Sequence, residues 1–227
     1  MPRFPRVVLP GHPHHVTQRG NRRQRVFFSA DDYRFYLRLL AESCAGCNTT
    51  CWAYCLMPNH VHLVLVPRNT DGLRETLAEA HRRYTRYINL REGWRGHLWQ
   101  ERFRSFPMDE FHLIAAVRYI ERNPVEAGLA RKACDWPWSS ASPHLRGVDD
   151  PLVTVDPMLE LVPDWEAYLS RGDDPATIEC IRRHSRSGRP AGSERFIAMA
   201  ERLAGRRLRP RARGRKPQQH GPRANGK

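Results

Sequence analysis

No stretch of this 227-residue chain carries the roughly 18 consecutive apolar residues that a membrane-spanning helix needs. The opening run Met-Pro-Arg-Phe-Pro-Arg-Val-Val-Leu-Pro is charged, broken by proline and too short in apolar residues for a secretory signal. A soluble, cytoplasmic protein with no membrane partner is therefore expected. Acidic residues are missing where basic ones are densest. Residues 1–30 hold Arg3, Arg6, Arg19, Arg22, Arg23 and Arg25 with no Asp or Glu, and no acid follows Glu201. The formal net charge of +14 points to a polyanionic partner, and to nucleic acid before membrane because no basic amphipathic helix stands out. A second CxxC pair is also absent. Four-thiolate zinc sites usually use two such pairs, and here only Cys44-Ala45-Gly46-Cys47 has the spacing. Cys51 and Cys55 fall in a segment that reads as a strand with Cys51, Ala53 and Cys55 on one face, so these thiols are expected in the core. There are no internal repeats.

What is present is an unusual strand. Met57-Pro58-Asn59-His60-Val61-His62-Leu63-Val64-Leu65-Val66 places two histidines in a run that otherwise reads as buried β-structure. Alternation puts His60 and His62 on one face with Val64 and Val66, and Val61, Leu63 and Leu65 on the other. Two imidazoles so placed can converge on one metal ion, and an otherwise apolar strand would carry a desolvation cost for them without a partner. His12 and His14 have the same spacing, but Pro13 and Pro10-Gly11 make that segment a poorer platform.

The remaining pattern predicts a strand from His14 to Arg19, then a helix from the cap Ser29-Ala30-Asp31-Asp32 to about residue 45. Strands follow at 50–57 and 60–67 around a Pro58-Asn59 turn. A second helix from Thr70-Asp71-Gly72 carries the stripe Leu73, Leu77, Ala80, Tyr84 and Ile88. A strand is expected from Leu98 to Phe106. A third helix, capped by Met108-Asp109-Glu110, should be bounded at Asn123 by Pro124. The order β-α-β-β-α-β-α implies an α+β fold, an antiparallel sheet with packed helices. Residues 135–163 read as extended packing and linker. Residues 164–204 turn helical, and the break at 187–192 gives them a helix-turn-helix outline.

On the third helix Tyr119 and Asn123 stand four apart and share a face. Asn offers an oxygen to a hard cation and Tyr is a potential nucleophile. A half-buried Tyr and an Asn satisfying helix carbonyls fit the same spacing. Tyr33, Tyr36, Tyr84 and Tyr87 sit on apolar stripes, and none has such a neighbour.

His60-Val61-His62 resembles the HUH motif of single-tyrosine transposases. The phrases His15-Val16-Thr17-Gln18-Arg19-Gly20-Asn21, Met57-Pro58-Asn59-His60-Val61-His62, Leu98-Trp99-Gln100-Glu101-Arg102-Phe103, Arg118-Tyr119-Ile120-Glu121-Arg122-Asn123-Pro124-Val125 and Trp136-Pro137-Trp138-Ser139-Ser140 are together similar to the REP-associated tyrosine transposases of the insertion-sequence-200-like superfamily. The resemblance implies a ferredoxin-like HUH endonuclease domain over residues 1–148. A small helical region at 149–205, read as a helix-turn-helix-type DNA-binding appendage, and a basic disordered tail at 206–227 would follow it. It implies Tyr119 as nucleophile, with His60, His62 and Asn123 holding Mg²⁺ or Mn²⁺. Single-stranded DNA with palindromic hairpins is the implied substrate, cut through a 5′-phosphotyrosine by a monomer or homodimer associated with the nucleoid. Arg19, Arg22, Arg23 and Arg102 are the phosphate-facing candidates. A rolling-circle nickase and a non-catalytic DNA-binding regulator with a structural His pair are the alternative readings.

Overall fold

The computed structural model describes residues 5–210. Its first seven strands and α-helices are β1 (His14–Arg19), α1 (Ala30–Gly46), β2 (Thr49–Met57), β3 (His60–Pro67), α2 (Gly72–Glu92), β4 (Arg104–Pro107) and α3 (Glu110–Glu126). The strands form one sheet in the order β2-β3-β1-β4, and every neighbouring pair is antiparallel. Two interleaved split β-α-β units of this kind make the ferredoxin-like arrangement, an α+β fold. Val61, Leu63 and Leu65 of β3 pack with α1 and α2 on one face, while Val64 packs with α3 on the other.

Local chemistry sets the helix starts. Ser29 and Asp32 form a reciprocal capping box at α1, and Asp32 Oδ2 also accepts from Phe28 N–H at 2.8 Å. Asp32 is buried and pairs with Arg91 from the end of α2, tying the two helices together. Burial works against its ionised form, but the Arg91 guanidinium and the two backbone donors outweigh it and hold the carboxyl below its ordinary value. A depressed folded-state pKa stabilises the fold above the unfolded value near 4 and is lost as pH falls through the folded value. Asp32→Asn is therefore expected to lower the melting temperature at pH 7, and the difference from wild type should shrink below about pH 4. Thermal melts from pH 7 to 3 check this; a constant difference would contradict it.

Four local expectations need correction. β2 carries a bulge between Cys51 and Ala53, so Cys51 faces α1 and α2 while Ala53 and Cys55 face α3. All six cysteines are free thiols, and among the described residues no three His, Cys, Asp or Glu side chains gather as a metal site. The strand expected from Leu98 begins only at Arg104. Before it, Gly20 bridges Trp99 and Gln100 N–H still donates to Arg19 O at 2.8 Å, but left-handed Glu101, whose carbonyl accepts from Gln18 Nε2, takes 101–103 out of the ladder. α3 does not stop at Asn123 but continues to Glu126 with buried Pro124 inside it. The missing Pro N–H costs one bond, while Ala127 N–H to Asn123 O and Leu129 N–H to Pro124 O close the last turn. Residues 135–163 are not a plain linker, since they form α4 (Ala141–Arg146) and α5 (Asp156–Leu161).

The chain then adds α6 (Trp165–Ser170), α7 (Pro175–Ser187) and α8 (Glu194–Ala204). α5, α6 and α7 pack back on the α3 side of the sheet, where Met158, Trp165, Leu169, Ile181 and Ala191 share one cluster with Val117 and Ile120, while α8 packs through Phe196 and Ala200 in a separate cluster with Val7, Leu9 and Leu208. Ala191, in the expected helix-turn-helix break, pairs with the sheet edge through Ala191 N–H to Pro107 O and Asp109 N–H to Ala191 O, both 2.9 Å. Buried Glu121 joins the layers. Its Oε1 accepts from Ser140 Oγ at 2.5 Å and His144 Nδ1 at 2.6 Å, and its Oε2 from Trp165 Nε1 at 2.9 Å. Most of the expected basic tail, residues 211–227, lies outside the described residues.

Candidate active site

β1 and β3 pair with Arg19 opposite His60, Thr17 opposite His62 and His15 opposite Val64. Alternation puts all six side chains on the α3 face, and β4 adds Arg104 opposite Thr17 and Phe106 opposite His15. The inner end of this patch is closed by apolar packing. The outer end stays open as a cavity of about 700 Å³ lined by residues that include His60, His62, Tyr119 and Asn123. Gly20 turns the chain out of β1 beside it. A Cβ there would stand 2.3 Å from Gln24 O, so only glycine fits.

The two imidazoles are held in defined states. Asn59 Nδ2 donates to Arg23 O at 3.1 Å, which turns its Oδ1 toward His60. His60 Nδ1–H then donates to that oxygen at 2.6 Å, leaving Nε2 as a bare lone pair. His62 Nδ1 lies 3.0 Å from Nε2 of the buried His15, and the two rings stack 5.2 Å apart. This leaves Nε2 of His62 without a protein partner among the described residues as well. Burial, with the nearby Arg19 charge, pulls His60 down to about 4, and burial holds His62 well below the ordinary 6.5. Both rings are neutral at physiological pH, as metal ligands must be.

α3 brings Tyr119 over the pair. Its ring stands edge-on to His62 at 5.7 Å and to His15 at 6.5 Å. Arg19 lies within Coulombic reach of the phenol. The amide of Asn123, one turn on, makes no side-chain hydrogen bond among the described residues. Two open imidazole nitrogens and an amide oxygen fit a divalent cation, with the remaining positions left to water or phosphate oxygens.

Arg19, Arg23 and Arg102 line the cavity, whereas the exposed Arg22 is not among its lining residues. Arg104 belongs to the site too, as do Ile181, Arg182, Ser185 and Arg186 of α7. His15 and Thr17 were legible as the polar stripe His15-Thr17-Arg19 along β1. The α7 residues had no local signal. The rival histidines serve the fold, since His14 Nδ1 donates to His12 O at 2.8 Å and its Nε2 accepts from Leu9 N–H at 3.0 Å. Arg118 and Arg122, which flank Tyr119, turn away from the cavity. Arg118 Nε donates to the buried Asp173 at 2.8 Å, and Arg122 Nη1 to Leu169 O at 3.0 Å.

Residues 10–123 match the model of the family described as "Transposase IS200 like". The chain belongs to the IS200-like transposase family. The matched segment runs from just before β1 to Asn123, and so contains both histidines and Tyr119. A REP-associated tyrosine transposase of Escherichia coli (strain K12) is 27% identical over 89 residues, 39% of this chain and 52% of that protein. The match thus spans about half the length of that relative. A solved structure of a REP-associated tyrosine transposase bound to a REP hairpin superposes with a TM-score of 0.56 at 21% identity, covering 68% of this chain and 92% of that one. That likeness extends the shared fold beyond the family segment. No helix among the described residues is long and apolar enough to cross a membrane.

Proposed function

We propose that this IS200-like transposase is a metal-dependent single-stranded DNA endonuclease and strand transferase, acting through Tyr119 on DNA that carries palindromic hairpins. The observation that carries the reading is the convergence of one phenol, two neutral imidazoles and one amide on a cavity otherwise rich in arginine. The hairpin enters by similarity alone, from the solved relative that holds one. All four groups belong to one chain, so a monomer contains a complete site, though a homodimer is equally compatible with it.

In the proposed reaction the Tyr119 oxygen attacks phosphorus in line with the leaving 3′-oxygen. The Oη–P bond forms as the P–O3′ bond breaks. The phenol proton is given up and the departing oxygen is protonated, leaving a 5′-phosphotyrosine and a free 3′-OH. The ester energy stays in the adduct, so another 3′-OH can reverse the step without ATP. His60, His62 and Asn123 would hold Mg²⁺ or Mn²⁺, with the two imidazoles favouring Mn²⁺. A cation held there would polarise a phosphate oxygen and spread its charge. Arg19, Arg23 and Arg102 lie where they can orient the phosphates, and exposed Arg22 can meet the strand outside the cavity.

A hairpin oligonucleotide labelled on its 3′ side, incubated with Mn²⁺ or Mg²⁺, should give a denaturation-resistant protein–DNA adduct. No adduct with either metal on any hairpin tested would count against the enzyme and favour a non-catalytic regulator. A second measurement concerns His15, which presents His62 to the cation. When Nε2 of His62 binds metal, its Nδ1–H must donate to His15 Nε2. His15→Ala is expected to weaken Mn²⁺ binding roughly tenfold or more, read by EPR titration without DNA. His15→Gln, which keeps a polar partner, should recover part of the loss. Equal affinity in wild type and His15→Ala would remove this role.

A further inference from the structure

The catalytic cavity has a wall that the family segment does not supply. The match ends at residue 123, yet α7 contributes Ile181, Arg182, Ser185 and Arg186 to the lining. The helix is built into place. Arg118 of the catalytic helix donates to the buried Asp173 just before α7. Ile181 is buried in the cluster that holds Val117 and Ile120. Beyond the αL cap Gly188, the chain is pinned to the sheet edge at Ala191. Ser185 Oγ also stands 3.5 Å from Thr17 Oγ1 on the opposite wall.

The charge on this wall matches the one it faces. Arg182 and Arg186 are exposed, and Arg186 makes a solvent-exposed pair with Glu179 at 2.5 Å. Opposite stand Arg19, Arg23, Arg102 and Arg104, with Glu101 the single carboxylate among the lining residues. Six guanidiniums around about 700 Å³ repel one another unless a polyanion lies between them. A space of that size takes a few nucleotides of one strand, not a duplex about 20 Å across.

We propose that α7 is the outer wall of a channel for single-stranded DNA, and that Arg182 and Arg186 hold the phosphates of the strand as it passes Tyr119. This rests on the endonuclease reading above and assigns its preference for single strands to an element outside the family segment. Arg183 is the internal control, since it sits on the same helix with the same charge and exposure but does not line the cavity.

The test uses the full chain and fluorescence anisotropy with a labelled unstructured oligonucleotide and a blunt duplex of equal length. At about 0.1 M salt each lost phosphate contact weakens single-strand binding roughly fivefold and flattens the log K against log salt slope by about 0.7. Arg182→Ala with Arg186→Ala should therefore cost roughly tenfold or more on the single strand and flatten its slope. Arg183→Ala should cost less than about twofold, and duplex binding should change little in either variant. Equal losses in the Arg182→Ala and Arg183→Ala variants would overturn the proposal in favour of general charge. Tighter binding or faster adduct formation in the double variant would overturn it differently, by showing that α7 excludes the strand. If wild type forms the Tyr119 adduct and the α7 variants bind normally, only the channel fails. If wild type neither binds single strands nor forms the adduct, the endonuclease reading fails with it.

Discussion

Tyr119→Phe is expected to abolish the covalent protein–DNA adduct, a loss on the order of 10³-fold or more, while leaving DNA binding within about twofold. The two effects separate because the substitution removes one oxygen and keeps the ring. The phenyl group still stands edge-on to His62 and His15, so α3 packs as before and the arginine-lined cavity is unchanged. Loss of adduct with retained binding identifies Tyr119 as the attacking group. Tyr87→Phe provides the control, since Tyr87 rests among Phe35 and Tyr84 on α2 and should leave the adduct intact. An adduct of undiminished yield from Tyr119→Phe would assign the attack to another residue and end the mechanism proposed.

Glu121→Ala is expected to cost about 3–5 kcal/mol of stability, because its carboxylate is the common acceptor for three buried donors. Truncation leaves His144 Nδ1 and Trp165 Nε1 facing a cavity with no acceptor, and leaves Ser140 Oγ only the longer bond to Tyr54 O at 3.3 Å. For a chain of this size that corresponds to a fall in melting temperature of roughly 10 °C. Glu121→Gln should lose less, about 1–3 kcal/mol, since its oxygen still serves one side while its NH₂ meets a donor on the other. Denaturant titration of the variants measures both, and a loss below about 1 kcal/mol for Glu121→Ala would show that water replaces the carboxylate. The network also explains two sequence phrases. Trp136 Nε1 donates to Leu56 O, and Ser140 both accepts from Tyr54 N–H and donates to Glu121, so this segment ties β2 to α3.

Much of the site was legible because its residues repeat with the period of the element that carries them. Alternation along β3 separated His60 and His62 from Val61, Leu63 and Leu65, and the sheet places those sets on opposite faces. The four-residue spacing of Tyr119 and Asn123 likewise brought both to the cavity. Legibility failed where a local rule met a tertiary constraint. The bulge in β2 moved Cys51 to the other face, which no alternation pattern encodes. Pro124 remains helical because burial and the closing hydrogen bonds outweigh one missing donor. Arg118 and Arg122 share the buried Asp173, 55 positions after Arg118, a partner that no local pattern on their helix announces.

The sequence by itself determined the order of the strands and α-helices from β1 to α3, the apolar stripes of β3 and α2, and which polar side chains had to stand together on a strand or a helix turn. These depend on backbone period and side-chain polarity, both local properties. Only the tertiary structure decided that His15 stands behind His62, that Glu121 anchors α3, and that α7 closes the far side of the cavity. Those contacts join residues 19 to more than 160 positions apart, and their partners are chosen by packing geometry that no local pattern carries.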